Sequence, residues 1–217
     1  MYHQKKKIII CDHPIIKHKL SILRDHSTDT KEFRTIMQEL AMLIGYEAMR
    51  DLELESKEIK TPLETAKFPS LAGEKPVLVP ILRAGLGMSE GIMKLIPTAK
   101  IGHLGVSRDK TTFEANEYFC KLPPKLEQRK IYVMDPMLAT GGSAIAAIDS
   151  IKKHGGKDIT FLCVIAAPEG VAALLSAHPD IKIVIGNMDR EVNDRAFVCP
   201  GFGNAGDRYF GTESSYI

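Results

Sequence analysis

The sequence predicts an α/β fold: a central, mostly parallel sheet with helices on both faces. Five short apolar runs carry the expectation, PVLVPIL (76–82), KIGHLGV (100–106), KIYVMD (130–135), ITFLCVIA (159–166) and IKIVIG (181–186), each readable as a buried strand. Between them, residues such as Ala144, Ile145, Ile148 and Ile151 recur at helical spacing, and strands alternating with helices imply parallel pairing. Size is the third observation: the chain has 217 residues, and a domain of that length buries roughly 70% of its unfolded surface without disulfides or a structural metal. One domain over 1–217 is expected. In such a sheet, ligands sit beyond the carboxyl ends of the strands, where loops enter helix N-termini.

Taken in order, the elements begin with Lys5, Lys6 and Lys7, a run that reads as a solvated arm. From Ser27 the text STDTKEF supplies several N-cap candidates, and Phe33, Ile36, Met37, Leu40 and Ile44 predict a scaffold helix ending near Arg50. The strand and helix alternation then starts at residue 76. It is broken by the polar stretch 107–129, which holds Pro123 and Pro124; its length predicts a protruding hairpin, a flap over about 107–120. Helices are expected over 143–154 and after Pro168, where Val171, Leu174 and Leu175 share a face.

Composition narrows the function classes. A net charge of +2 gives no global field to attract polyanions, so no nucleic acid partner is expected. Cys11, Cys120, Cys163 and Cys199 form no CxxC or Cys/His cluster, which argues against a zinc site. Cys11 and Asp12 interrupt the apolar run Ile8–Ile10 before a signal-peptide core is complete, and no stretch reaches the ~18–20 apolar residues of a membrane span. A cytoplasmic address without a membrane partner is the expectation. The scattered histidines read as surface or packing residues.

The chemical signal is concentrated in IYVMDPMLATGGSAIAAID, residues 131–149. A buried strand ends in the carboxylate of Asp135, and Thr140, Gly141, Gly142 and Ser143 lead directly into a helix. Glycines let successive backbone N–H groups converge on phosphate oxygens, while the helix start adds partial positive charge. The hydroxyls of Thr140 and Ser143 add donors, Ser143 is expected to cap the helix, and an acceptor-only carboxylate suits sugar hydroxyls. A sugar 5′-phosphate fits this arrangement. The loop is not GxxxxGK[ST], since no lysine precedes Ser143; Gly85, Gly87 and Gly91 miss GxGxxG because Glu90 stands where the third glycine belongs.

DPMLATGGS (135–143) resembles the 5-phosphoribosyl 1-diphosphate (PRPP) loop of the type I phosphoribosyltransferases, in the form typical of the uracil phosphoribosyltransferase family, with Pro136 where most type I members carry a second acid. HPIIKHKLSILRD, VPILRAGLGM (79–88), AAPEGVAAL (166–174) and PGFGNAGDRYFGT (200–212) resemble further segments of that family in register. The resemblance implies transfer of ribosyl 5-phosphate from PRPP to N1 of uracil, giving UMP and pyrophosphate. It implies Arg83, Arg108 and Asp135 as the catalytic set. PRPP would be bound by these residues with Pro136, Met137, Leu138, Ala139, Thr140, Gly141, Gly142, Ser143 and Asn204. Uracil would be read largely by main-chain groups of a segment at about 197–212, with contacts at Val198, Gly203, Asn204 and Ala205, and this segment would build part of a small hood. Mg2+ would arrive with PRPP, without direct protein ligands. Homodimers or larger assemblies are implied, and some family members respond to GTP.

Asn204 departs from the family pattern, which has aspartate there; the amide keeps an acceptor but loses the charge, so weaker binding of Mg-PRPP with an unchanged reaction is expected. Three other readings stay open on the sequence: a transferase for another base, an RNA-binding regulator built on the same fold, and an inactive homologue.

Overall fold

Along the strand Asp158–Ala166, Leu162 and Val164 enter one core while Phe161 and Cys163 enter another, so both faces of the sheet are covered. The structure, a computed structural model, describes residues 7–108 and 115–212. In chain order the elements are β1 (Ile8–Ile10), α1 (Pro14–Arg24), α2 (Thr30–Ala48), β2 (Leu54–Lys60), β3 (Thr65–Leu71), β4 (Val77–Leu82), α3 (Leu86–Met93), β5 (Lys100–Ile101), β6 (His103–Arg108) and β7 (Ala115–Lys121). There follow β8 (Lys130–Met134), β9 (Met137–Leu138), α4 (Gly142–Lys153), β10 (Asp158–Ala166), α5 (Pro168–Ala177), β11 (Lys182–Met188), β12 (Glu191–Val192), β13 (Val198–Cys199) and α6 (Ala205–Phe210).

The main sheet runs β1-β11-β10-β8-β4-β6-β7, with β5 and β9 as short additions to β4 and β10. Every pairing in it is parallel except β6 with β7. One core lies between the sheet and α1, α2, α3 and α6; the other lies under α4 and α5. Fully burying a Leu, Ile or Phe in such layers contributes about 1.5–3 kcal/mol each.

The five predicted strands are present, with one change: the run 100–106 is divided at Gly102, whose N–H bonds Leu78 O, so that β5 pairs the start of β4 and β6 its end. The long helix is α2. Asp29 is its cap, accepting from Glu32 N at 2.8 Å, and it ends at Ala48, slightly before Arg50. The stretch expected to protrude, 107–129, contains the last two residues of β6 and the whole of β7, its antiparallel partner; residues 109–114, at the middle of the expected flap, lie outside the described residues, as do Lys5 and Lys6. Lys7 is tied down, its Nζ donating to Pro179 O at 2.6 Å. The sequence reading did not foresee the exposed ribbon β2/β3, nor β1, α1, α3 and α6.

Candidate active site

Three of the predicted residues stand on adjacent strands. Asp135 follows β8, Arg83 follows β4 and Arg108 ends β6; these strands are neighbours and parallel, so the three backbones share one carboxyl edge across roughly 10 Å, two strand spacings. The side chain of Arg108 lies outside the described residues.

Asp135 is tied to the sheet through its N–H to Leu162 O. Burial at the strand tip pushes its carboxyl up to about 7, against a Met137 N–H that favours the charged form. Pro136 O accepts from the N–H groups of Val164 and Ile165, and β9 pairs Met137 and Leu138 with Ile165 and Ala166, which fixes the first half of the loop. The second half is set by close approach. A Cβ on Gly170 would lie 2.2 Å from Ala139 O, so α5 can pack on the loop only through glycine.

Gly141, at φ 89°, occupies the cap position of α4, and no side chain caps the helix. Ser143 is therefore not the cap the sequence reading expected; it lies inside the first turn, because the left-handed Gly141 starts the helix earlier. The outcome favours anion binding more than a serine cap would, since Gly141 brings no side-chain oxygen to compete for the first N–H groups. A Cβ on Gly142 would meet nothing within 4 Å, so its missing side chain leaves open space above the loop. A hollow of about 50 Å³ is lined by Asp135, Leu138, Thr140, Gly141 and Ser143, several times the roughly 10–15 Å³ a single water needs.

A larger hollow, about 230 Å³, is lined by Asp51, Lys130 and Asp158 at the amino ends of β8 and β10, the opposite edge of the sheet. The smaller hollow is the one at the carboxyl edge, against the first turn of α4.

Arg83 opens the turn into α3. Gly85, Gly87 and Gly91 serve packing there: added Cβ atoms would lie 2.5 Å from Met134 O, 2.3 Å from the Tyr209 ring and 2.1 Å from Gln38 O. The Arg83 side chain, 56% exposed, leans on α6, with Nη2 at 3.3 Å from Asp207 Oδ1 and its guanidinium 5.7 Å from the centre of the Phe210 ring. The Leu82–Arg83 and Cys199–Pro200 peptides are cis.

The C-terminal segment supplies the remaining predicted positions. Val198 is buried and pairs with Val192; Gly201 and Gly203 take positive φ, and Gly201 has room for no side chain, since a Cβ would lie 2.1 Å from Val198 O. Asn204 caps α6, its Oδ1 accepting from Gly206 N at 3.0 Å and Asp207 N at 3.2 Å, and Ala205 is buried behind it. The structure thus brings Arg83 beside the Asn204–Asp207 turn.

Buried charge holds this segment in place. Asp189 accepts from both Arg24 Nη groups, from Asn187 Nδ2 and from Gly201 N, while Arg24 Nη1 also donates to Gly201 O. Arg208 donates to the carbonyls of Leu23, Asp25, Thr28 and Phe202 and stacks 4.5 Å over Phe33. Arg24, Asp189, Asp207 and Arg208 were not singled out from the sequence, although Arg24, Asp207 and Arg208 lie within the family-like segments quoted above.

A family model described as Uracil phosphoribosyltransferase matches residues 9–212. Proteins of that name from Staphylococcus haemolyticus and Macrococcus caseolyticus are 55% and 54% identical over 207 residues, covering 95% of this chain and 99% of each of theirs. A solved structure of a protein from Aquifex aeolicus matches with a TM-score of 0.92 at 38% identity, covering 96% of this chain and 100% of that one.

Proposed function

The chain belongs to the uracil phosphoribosyltransferase family, and from that premise we propose that it transfers ribosyl 5-phosphate from PRPP to N1 of uracil, giving UMP and pyrophosphate. The observation that carries the reading is the uncapped start of α4 behind the Asp135–Ser143 loop, with left-handed Gly141 and open space over Gly142. It is a seat for a 5′-phosphate whose ribose reaches back toward Asp135.

In this reading the loop amides hold the phosphate and Asp135 accepts from the ribose hydroxyls. By the resemblance Arg108, at the end of the strand beside β4, would join Arg83 in binding the diphosphate, and guanidinium groups bind such oxygens in pairs without losing charge. Uracil is read by main-chain groups between Val198 and Ala205, whose alternating donors and acceptors match its edge. N1 approaches C1′ from the face opposite the diphosphate. The N1–C1′ bond forms as the C1′–O bond breaks, the electron pair leaves with pyrophosphate and the N1 proton is released. The arginines act on the charge that develops on the leaving group. Mg2+ would be carried on PRPP without a direct protein ligand and when bound would neutralise diphosphate charge, while Asp135, lining the cradle, holds the ribose.

The test supplies PRPP and Mg2+ with uracil, hypoxanthine, guanine or orotate in turn and measures nucleotide and pyrophosphate. UMP from uracil alone is expected; no pyrophosphate with uracil, or turnover of another base, overturns the reading.

For the β2/β3 ribbon we propose a second copy of the chain as partner. Leu54, Leu63, Phe68 and Leu71 are exposed on it, an isolated two-stranded ribbon is marginal in water, and its alternating Glu and Lys residues suit a self-complementary contact. Light scattering should give twice the chain mass, falling to a single chain for Leu54→Lys/Phe68→Lys; an unchanged mass removes the ribbon from the interface. A cytoplasmic address suits the four unpaired thiols. Among the described residues no helix is long and apolar enough to cross a membrane.

A further inference from the structure

Arg83 is the exposed half of an ion pair whose other half is buried. The Asp207 side chain is 10% exposed against 56% for Arg83. Its Oδ1 takes the Thr212 hydroxyl at 2.5 Å and Arg83 Nη2 at 3.3 Å, while its backbone N–H is held by Asn204 Oδ1. The carboxylate is therefore rigidly placed relative to Asn204 and Ala205, and the guanidinium rests on it and over Phe210.

We infer that Asp207 is a positioning residue for PRPP, acting through Arg83: it holds the guanidinium at the mouth of the site and ties the diphosphate-binding arginine to the segment that reads the base. The inference rests on the function proposed above. A long, half-exposed arginine loses several rotamers when it engages an anion, and a fixed carboxylate beside it removes part of that cost before the ligand arrives. The pairing also keeps the cation directed at the site when diphosphate is absent. A carboxylate serving only to stabilise α6 would affect uracil and PRPP alike; one acting through Arg83 affects PRPP.

The experiment measures PRPP binding by calorimetry and both Michaelis constants for the parent, Asp207→Asn, Asp207→Glu and Thr212→Val, each also in an Arg83→Ala background. Asp207→Asn should weaken PRPP binding about fivefold, the effect of roughly 1 kcal/mol in a partly exposed pair. The uracil constant should stay within about twofold, a change near the limit of a meaningful difference. Asp207→Glu, which keeps the charge, should restore most of the loss, and Thr212→Val, which leaves Arg83 its partner, should change PRPP binding little. In the Arg83→Ala background Asp207→Asn should have no further effect. Equal weakening of both substrates, or the same loss without Arg83, overturns the inference. If Asp207→Asn fails to fold, Asp207→Ser, which also removes the charge, decides the matter: PRPP binding weakened as much in the Arg83→Ala background as in the parent overturns it equally. A parent that binds no PRPP at all defeats the proposed function itself, a different outcome from variants that bind as the parent does.

Discussion

Arg24 and Asp189 meet end-on, Nη1 to Oδ2 at 2.8 Å and Nη2 to Oδ1 at 2.5 Å, and between them grip both backbone polar groups of Gly201. The pair joins the end of α1 to the residue after β11 and fixes the chain two residues before Gly203. Its partner group is almost fully buried, with the Asp189 side chain 1% exposed, so removing the arginine leaves an uncompensated carboxylate. Arg24→Gln should lose about 3 kcal/mol, lowering the melting temperature by roughly 6–12 °C in a chain of this size. The uracil constant should rise more than the PRPP constant, because Gly201 belongs to the base-reading segment. Melting curves with saturation kinetics check this; equal rises would make the pair a general support.

What could be read from the sequence was local. The loop 135–143 is contiguous, its glycines and terminal carboxylate are adjacent in the text, and the strands beside it are unbroken apolar runs, so fold class and cradle were legible together. The supports were not, because Arg83 meets Asp207 across 124 positions, Arg24 meets Asp189 across 165 and Arg208 meets Leu23 across 185. A lone arginine in a sequence looks like a solvated surface residue until its partner is known. The ribbon β2/β3 escaped for the opposite reason: nearly all its residues are exposed, so LESKEIK and TAKFPSL carry no buried face to set a period. The misplaced cap of α4 shows a third limit, since Gly141 and Ser143 are both acceptable helix starters and only the φ of 89° decides.

Asp135 carries a cost of its own. Burial holds its carboxyl at about 7, against 3.8 for the free group, so the folded chain binds a proton that the unfolded chain releases. That contribution is fully present below about pH 4 and is lost as pH rises through about 7. Asp135→Asn removes the penalty, and the variant should be the more stable by up to about 4 kcal/mol above neutral pH, with a flatter dependence between pH 5 and 8. UMP formation should fall at the same time, because the ribose loses its anionic acceptor. Denaturation at pH 5 and 8 with activity at each pH tests both halves; a parent whose stability climbs from pH 5 to 8 relative to the variant contradicts the assignment.

Two glycines of the cradle should respond oppositely to alanine. At Gly142 an added methyl enters open space, so the fold should tolerate Gly142→Ala with an unchanged or slightly higher melting temperature. PRPP affinity should drop by tenfold or more, about 1.4 kcal/mol, because the methyl occupies the seat of the phosphate. At Gly170 the methyl would lie 2.2 Å from Ala139 O, and Gly170→Ala should cost about 1–3 kcal/mol of stability as well as distorting the loop. Calorimetric binding beside thermal melts separates the two; tight PRPP binding by Gly142→Ala would move the phosphate away from α4.

Asn204 offers the sharpest comparison, because its two roles can be changed one at a time. As the cap of α6 it needs only an acceptor oxygen, and aspartate supplies one equally well, so Asn204→Asp should leave the melting temperature unchanged, whereas Asn204→Ala should lose about 1 kcal/mol. Charge is the second role. A Cβ on Gly206 would lie 3.4 Å from Asn204 Oδ1 and 3.9 Å from Arg83 Nη2, which places the Asn204 side chain in the same neighbourhood as the arginine. A carboxylate at 204 would cap with one oxygen and offer the other to Arg83 and to the metal that accompanies diphosphate. The PRPP constant of Asn204→Asp should therefore fall several-fold, the effect of about 1 kcal/mol in a half-exposed setting, while the maximal rate with both substrates saturating stays near that of the parent. Saturation kinetics in PRPP at fixed uracil measure the change directly, and an identical PRPP constant would mean that the amide costs this chain nothing.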